Sequence, residues 1–285
     1  MKILIAVGIL GGLGLVFGLI LAIASKVFYV KTDPRLEKLV DALPGANCGG
    51  CGYAGCAAYA QAVLEGKAPV GGCVSGGNEV ARAMAEIMGV KAEEVQRKVA
   101  LVRCAGYHGI DEEGKPTGSK QKGVYEGIPD CLAATKVAGR GPLICKYGCL
   151  GFGNCTKVCQ YDAIHIVKGV AKVDPEKCVG CMACAQVCPR ELIVPVDYGS
   201  FAVVACASKA KGAVTIRGCT AGCIGFGLCM KICPEKAIHV EKNLAVIDYK
   251  KCTNCGLCAT VCPKHLIASS IDDPAESLQI LNGAS

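Results

Sequence analysis

The 285-residue chain reads as an α+β protein, headed by one long apolar helix and built beyond it from small repeated units. Three observations lead there. Residues Ile3 to Ala24 form a 22-residue run without a charged or strongly polar side chain. Cysteine, at 23 residues or about 8% of the chain, arrives in tight runs two to five residues apart. The second half holds two copies of one segment, 74 residues apart, with short helical and strand patterns between their cysteine runs.

The apolar run is long enough to cross a bilayer as a helix. Ala22-Ile23-Ala24 looks like a signal-cleavage site, but the run exceeds the usual signal core. Gly8/Gly12 and Gly14/Gly18 sit four apart, a spacing that lets helices approach closely in lipid. An uncleaved, single-pass anchor over residues 1–25 is therefore expected. Lys26, Lys31, Arg35 and Lys38 follow it and Lys2 alone precedes it, which places the C-terminal part on the cytoplasmic side of the cell (inner) membrane. That side is reducing, and thiols stay available for metal there.

Asp33-Pro34 is a helix start, with Asp as cap and Pro in the first turn, and Pro44-Gly45 ends the apolar face formed by Leu36, Leu39, Val40 and Leu43. NCGGCGYAGC follows, giving Cys48-x2-Cys51-x4-Cys56, with Cys73 further on. Its glycines permit a tight loop whose amides turn toward sulfur, and residues 57–65 carry the helix that ends it. Residues 26–92 are expected to form one small helical domain holding a single [4Fe–4S] cluster on these four cysteines, in preference to zinc.

In CKYGCLGFGNCTKVC the cysteines are spaced C-x3-C-x5-C-x3-C, wider than the C-x2-C-x2-C-x3-C run of a bacterial ferredoxin. Adding 74 to Cys145, Cys149, Cys155, Cys159, Cys178, Cys181, Cys184 and Cys188 gives Cys219, Cys223, Cys229, Cys233, Cys252, Cys255, Cys258 and Cys262. Phe152, at the lost ferredoxin position, maps to Phe226. A spacing that occurs twice is a working variant. In two-cluster ferredoxins each run gives three ligands to one cluster and the fourth to the other. That logic groups Cys145, Cys149, Cys155 and Cys188, then Cys178, Cys181, Cys184 and Cys159. In the second copy it groups Cys219, Cys223, Cys229 and Cys262, then Cys252, Cys255, Cys258 and Cys233. The pairing within each set of eight is left open by spacing alone.

Between the runs, AIHIVKGVAKVD and AIHVEKNLAVID alternate apolar and polar residues about turns at Lys168-Gly169 and Lys242-Asn243, which predicts hairpins. His165 and His239 recur at a strand position and suit a structural role as well as cluster tuning; Phe152 and Phe226 suit ordinary loop packing. The expected organisation continues with a connecting segment over 93–140, ferredoxin-like two-cluster units over 141–212 and 213–270, and a polar tail from Ile271 to Ser285. Cys104, Cys131 and Cys206 remain: they are either small buried residues or supplementary ligands.

The formal charge of +7 counts every cysteine as neutral. Five clusters at roughly −2 each turn it into roughly −3. With no Trp and scattered lysines, nucleic acid is not an expected partner. Neither a G-x-G-x-x-G strand–helix unit nor a P-loop is present, so a nucleotide site on this chain is not expected.

With the anchor run, NCGGCGYAGC, RCAG around Cys104, GIPDCLAA around Cys131 and GCLGFGNC in place, the chain resembles the B subunit of the Rnf complexes, membrane-bound ferredoxin:NAD oxidoreductases that move sodium or protons. It is most similar to the long forms with two double-cluster units. The resemblance implies an electron-transfer subunit of an enzyme complex with no catalytic site of its own. Soluble ferredoxin is the implied donor, with other membrane and peripheral subunits as partners. Lys146, Lys157 and Lys231 are candidate steering charges for an acidic ferredoxin. Two rival readings share parts of the pattern: an iron–sulfur subunit of a different membrane oxidoreductase, and a zinc-stabilised, membrane-anchored interaction module.

Overall fold

The computed structural model describes residues 2–27, 33–92, 94–106, 108–110, 116–199 and 202–268. The tail expected over 271–285 lies outside them. The apolar start forms α1 (Lys2–Val27). Its described side chains, those of residues 11–24, are exposed apolar groups such as Leu15, Phe17 and Leu21. Among the described residues, no helix is long and apolar enough to cross a membrane.

The first cysteine domain packs three helices. In α2 (Pro34–Asp41), Asp33 caps as its sequence suggests, its carboxylate accepting the Arg35 N–H at 2.9 Å. It crosses α3 (Cys56–Leu64) and α4 (Gly77–Met88), the latter closed by Gly89 at φ +68°. Leu39, Tyr59, Val63 and Met84 are all but sealed from solvent and form the core. Tyr59 fixes the loop that carries Cys73: its hydroxyl donates to the Pro69 carbonyl at 2.6 Å and accepts from the Gly72 N–H at 2.8 Å.

Beyond it, β1 (Lys98–Val102) begins the first ferredoxin-like unit, followed by β2 (His108–Ile110), β3 (Pro116–Gly118) and α5 (Cys131–Lys136). Then come α6 (Asn154–Lys157), the hairpin β4 (Ile164–Val167) and β5 (Val170–Val173), α7 (Ala183–Gln186) and β6 (Ile193–Asp197). The second unit runs β7 (Val203–Val204), α8 (Gly212–Gly218), α9 (Leu228–Ile232), the hairpin β8 (Ile238–Glu241) and β9 (Leu244–Ile247), α10 (Leu257–Thr260) and β10 (Ile267–Ala268). The expected turns are present: Lys168 and Gly169 have φ of 46° and 77°, Lys242 and Asn243 of 47° and 65°, as two-residue hairpins with right-handed strand twist require.

Segment 93–140 does more than connect. Its strand β1 pairs antiparallel with β6, Val99 opposite Val196, and its four apolar residues enter the core of the first unit. In the same way β7 pairs with β10, which ties residues 203–204 to the second unit. The Arg103 N–H donates to the Leu192 carbonyl at 2.8 Å, and the Ala205 N–H to the Leu266 carbonyl at 2.9 Å. Leu266 is Leu192 plus 74, but Ala205 is Arg103 plus 102. The repeat thus extends upstream to a strand reading ALVRCAG in one copy and AVVACAS in the other. The first copy holds 28 additional residues between strand and cysteine run, the excess of 102 over 74.

Candidate metal centres

The first site is assembled by a loop and two helix starts. Asn47 takes a left-handed φ of 47° and its side-chain oxygen accepts the Cys56 N–H at 2.8 Å, so the loop curls back on the first turn of α3. Cys73 is buried against that loop. It packs in one core cluster with Cys51 and Cys56, and its thiol is raised by burial first, with Cys51, Cys56 and Cys48 adding to it. The Ser75 hydroxyl lies 3.2 Å from the Cys48 sulfur.

Within the first unit, the Cys184 thiol is pushed up to about 12, by burial first and then by Cys178, Cys181 and Cys159. These are the four residues that spacing groups. The second grouping differs from expectation. One cavity is lined by Cys149, Cys155 and Cys188 together with Cys131, whereas Cys145 lies elsewhere. Burial pushes Cys155 up to about 12, with Cys149 and Cys131 adding to it. The cause of the exchange is α5. Asp130 caps that helix by accepting the Ala133 N–H at 2.7 Å. Its other oxygen accepts from the Asn154 amide at 2.5 Å, and the Asn154 oxygen accepts the Cys131 N–H at 2.8 Å. The inserted segment is thereby clamped to the cysteine run with Cys131 at the cavity. Replacing Asn154 by alanine removes both bonds and is expected to cost about 1–2 kcal/mol, seen as a lower temperature for loss of visible cluster absorption.

In the second unit Cys223, Cys229 and Cys262 line the corresponding cavity, and Cys219 does not. The second copy lacks the 28-residue insertion that brings Cys131 in the first, so among the described residues three cysteines line this cavity. Phe226 lines it and is 67% exposed, while Phe152 packs on Tyr125 with ring centroids 5.2 Å apart. The same missing segment explains both. Cys258 is raised to about 11 by burial and then by Cys252, with Cys229 and Cys255 also contributing. Cys233 packs in the same core cluster. His165 and His239 are exposed on the hairpins, partnered by the Asp162 carbonyl at 3.0 Å and the Glu241 carboxylate at 2.9 Å.

Two features fit these thiol sets to cubane clusters. Backbone N–H groups converge on the sulfurs: Ala163 on Cys159, Ala171 on Cys149, Leu192 on Cys188, Ala237 on Cys233 and Leu266 on Cys262, at 3.3–3.5 Å. Such donors stabilise bound thiolates, while burial disfavours unligated ones. Among the described residues, no group of three or more His, Cys, Asp or Glu is placed to hold a single metal ion, whereas Cys131, Cys149, Cys155 and Cys188 line one cavity together and Cys223, Cys229 and Cys262 another. The glycines keep the runs tight. A Cβ on Gly151 (φ +75°) would overlap the Gly169 carbonyl, and one on Gly225 (φ +70°) would come 2.9 Å from the Asn243 carbonyl oxygen.

Fold and site together define an iron–sulfur electron-transfer protein with ferredoxin-type domains. A family model described as "Putative Fe-S cluster" matches residues 43–75, and one described as "4Fe-4S binding domain" matches 171–194 and 245–267. The chain is 44% identical over 271 residues to the B subunit of the Na(+)-translocating ferredoxin:NAD(+) oxidoreductase complex of Acetobacterium woodii, covering 95% of this chain and 79% of that one. It is 39% identical to the B subunit of the proton-translocating complex of Clostridium ljungdahlii, over 85% and 83% of the two chains. To the B subunit of the ion-translocating oxidoreductase complex of Methanosarcina acetivorans it is 37% identical, over 88% and 92%. The chain belongs to the B-subunit family of the Rnf ion-translocating oxidoreductase complexes, where its role is electron transfer.

Proposed function

We propose that this chain relays electrons from reduced soluble ferredoxin through five [4Fe–4S] clusters toward NAD reduction, within a membrane complex that moves Na+ or H+. The ligand sets are Cys48, Cys51, Cys56 and Cys73; Cys159, Cys178, Cys181 and Cys184; Cys131, Cys149, Cys155 and Cys188; Cys223, Cys229 and Cys262; and Cys233, Cys252, Cys255 and Cys258. Bound clusters supply one-electron carriage without bond chemistry on the chain.

The observation that carries this reading is the close approach of neighbouring sites within two groups, three sites up to the first ferredoxin-like unit and two in the second. Gly50, in the first loop, lies so close to the second site that a Cβ there would crowd the Cys181 backbone at 3.1 Å, and Cys48 is among the thiols acting on Cys181. The helices α6 and α7, which carry Cys155 and Cys184, pack together, as do α9 and α10, which carry Cys229 and Cys258. The apolar, exposed face of α1 supports a single-pass membrane anchor at the end nearest the first site, with the cysteine domains on the cytoplasmic side. Electrons then enter at the ferredoxin-like units and leave at the Cys48–Cys73 site.

Lys146, Lys157 and Lys231 are exposed on those units. They steer an acidic ferredoxin by long-range attraction, so the second-order rate of reduction should fall at least about tenfold between low and high salt. Stopped-flow reduction across a salt series checks this, and a flat response removes the steering role.

A further inference from the structure

We propose that Cys104, Cys145, Cys206 and Cys219 hold a sixth [4Fe–4S] cluster, seated between the two ferredoxin-like units. The inference rests on the electron-relay reading above. These four are the cysteines the five sites leave over, and they come from four separate segments of the chain. They nonetheless line one cavity together. Cys104, Cys206 and Cys219 are buried and Cys145 is half-buried.

The cavity is built symmetrically. The Cys149 N–H donates to the Cys104 sulfur at 3.3 Å, and the Cys223 N–H to the Cys206 sulfur at 3.4 Å. These are equivalent bonds in the two copies, since Cys223 is Cys149 plus 74 and Cys206 is Cys104 plus 102. Cys145 and Cys219 are likewise equivalent. Each unit therefore gives the same two cysteines to one shared site. Further N–H donation comes from Ser208 to Cys206 at 3.4 Å, and the Ser119 hydroxyl lies 3.8 Å from the Cys219 sulfur. Ser119 is held there by backbone bonds from Lys120 to Gly218 and from Thr220 to Gly118, at 2.9 and 2.8 Å. Arg103 also lines the cavity, and its buried Nε has no hydrogen-bond partner among the described residues.

Three buried thiols and one half-buried thiol, met by sulfur-directed donors, match the four-cysteine sets of the other sites. The place is also the one the relay needs. Cys149 belongs to the last site of the first unit and Cys223 to the first site of the second, and each is one hydrogen bond from a cysteine of this cavity. Without it the five sites fall into a group of three and a group of two. The wide C-x3-C spacing gains a purpose: Cys145 and Cys219 reach out of their own units toward the partner copy.

The test uses the assembled complex, purified without oxygen, with iron and acid-labile sulfide counted for each copy of this chain and cluster spectra recorded by Mössbauer and electron paramagnetic resonance. Alanine at Cys104 or Cys206 preserves packing if these are merely small buried residues, and iron then stays unchanged, which overturns the proposal. If they are ligands, Cys104→Ala and Cys206→Ala each lower iron by about four from roughly 24, while the spectra of the other sites persist. Cys145→Ala, at a half-buried position, gives the same reading should either buried variant fail to assemble. Reduction by ferredoxin should also split, with a fast phase confined to one group of clusters and the rest no longer following. A wild-type complex holding iron in amounts that none of these substitutions changes refutes this site alone. A wild type without iron refutes the relay itself.

Discussion

Serine in place of Cys131 is expected to disable the first unit, while serine at Cys145 leaves that unit's own two sites intact. Cysteine spacing taken alone makes the opposite forecast, since it puts Cys145 in the ferredoxin-like set. The structure places Cys131 with Cys149, Cys155 and Cys188 around one cavity, with Asn154 and Asp130 fixing the helix that presents it. Losing an outer partner of a metal ligand already costs about 10–100-fold in affinity or activity. Losing the ligand itself should cost at least about 100-fold in ferredoxin-driven turnover. The check is spectroscopic as well as kinetic: one cluster signal of the first unit should vanish or become three-iron in Cys131→Ser and persist in Cys145→Ser.

Alanine at Gly180 should produce the largest loss of stability from a single methyl group. Gly180 lies within Cys178-x2-Cys181 at φ +69°, in the left-handed region, and its missing Cβ would overlap the Lys98 carbonyl. Two penalties combine: backbone strain of roughly 1–3 kcal/mol and overpacking of similar size. Neither neighbour can yield cheaply, because Lys98 begins β1 and is paired with Asp197. A loss of about 3 kcal/mol corresponds to roughly 6–12 °C for a protein of this size. It is read as the temperature at which visible cluster absorption disappears under anaerobic heating. A melting temperature within a degree or two of wild type would show that the loop does not sit against β1.

Much of the fold was legible because its signals are local. Asp33-Pro34 specified a cap and first turn, alternating residues specified both hairpins, and the 74-residue offset identified sixteen cysteines as two sets of eight. What escaped were the tertiary relations. The insertion in the first copy shifts the register of its leading strand from 74 to 102, so ALVRCAG and AVVACAS do not align in the repeat that the cysteines define. Cys104 and Cys206 therefore looked like leftovers. Pro129-Asp130 before Cys-Leu-Ala-Ala was a readable helix start, but nothing local says that this helix docks beside Cys155. Phe152 and Phe226 occupy equivalent positions and differ in burial only because one copy carries that insertion.

Whether the cysteine sets hold iron–sulfur clusters that ferredoxin can reduce is decided by electron paramagnetic resonance of the anaerobically purified complex. Spectra are taken as ferredoxin is added, with iron, zinc and sulfide counted for each copy of this chain. Brown protein with about twenty or more irons, matching sulfide, and cluster signals that grow in during the titration is the expected result. Colourless protein with a few zinc ions, no iron and no such signals would rule the relay out.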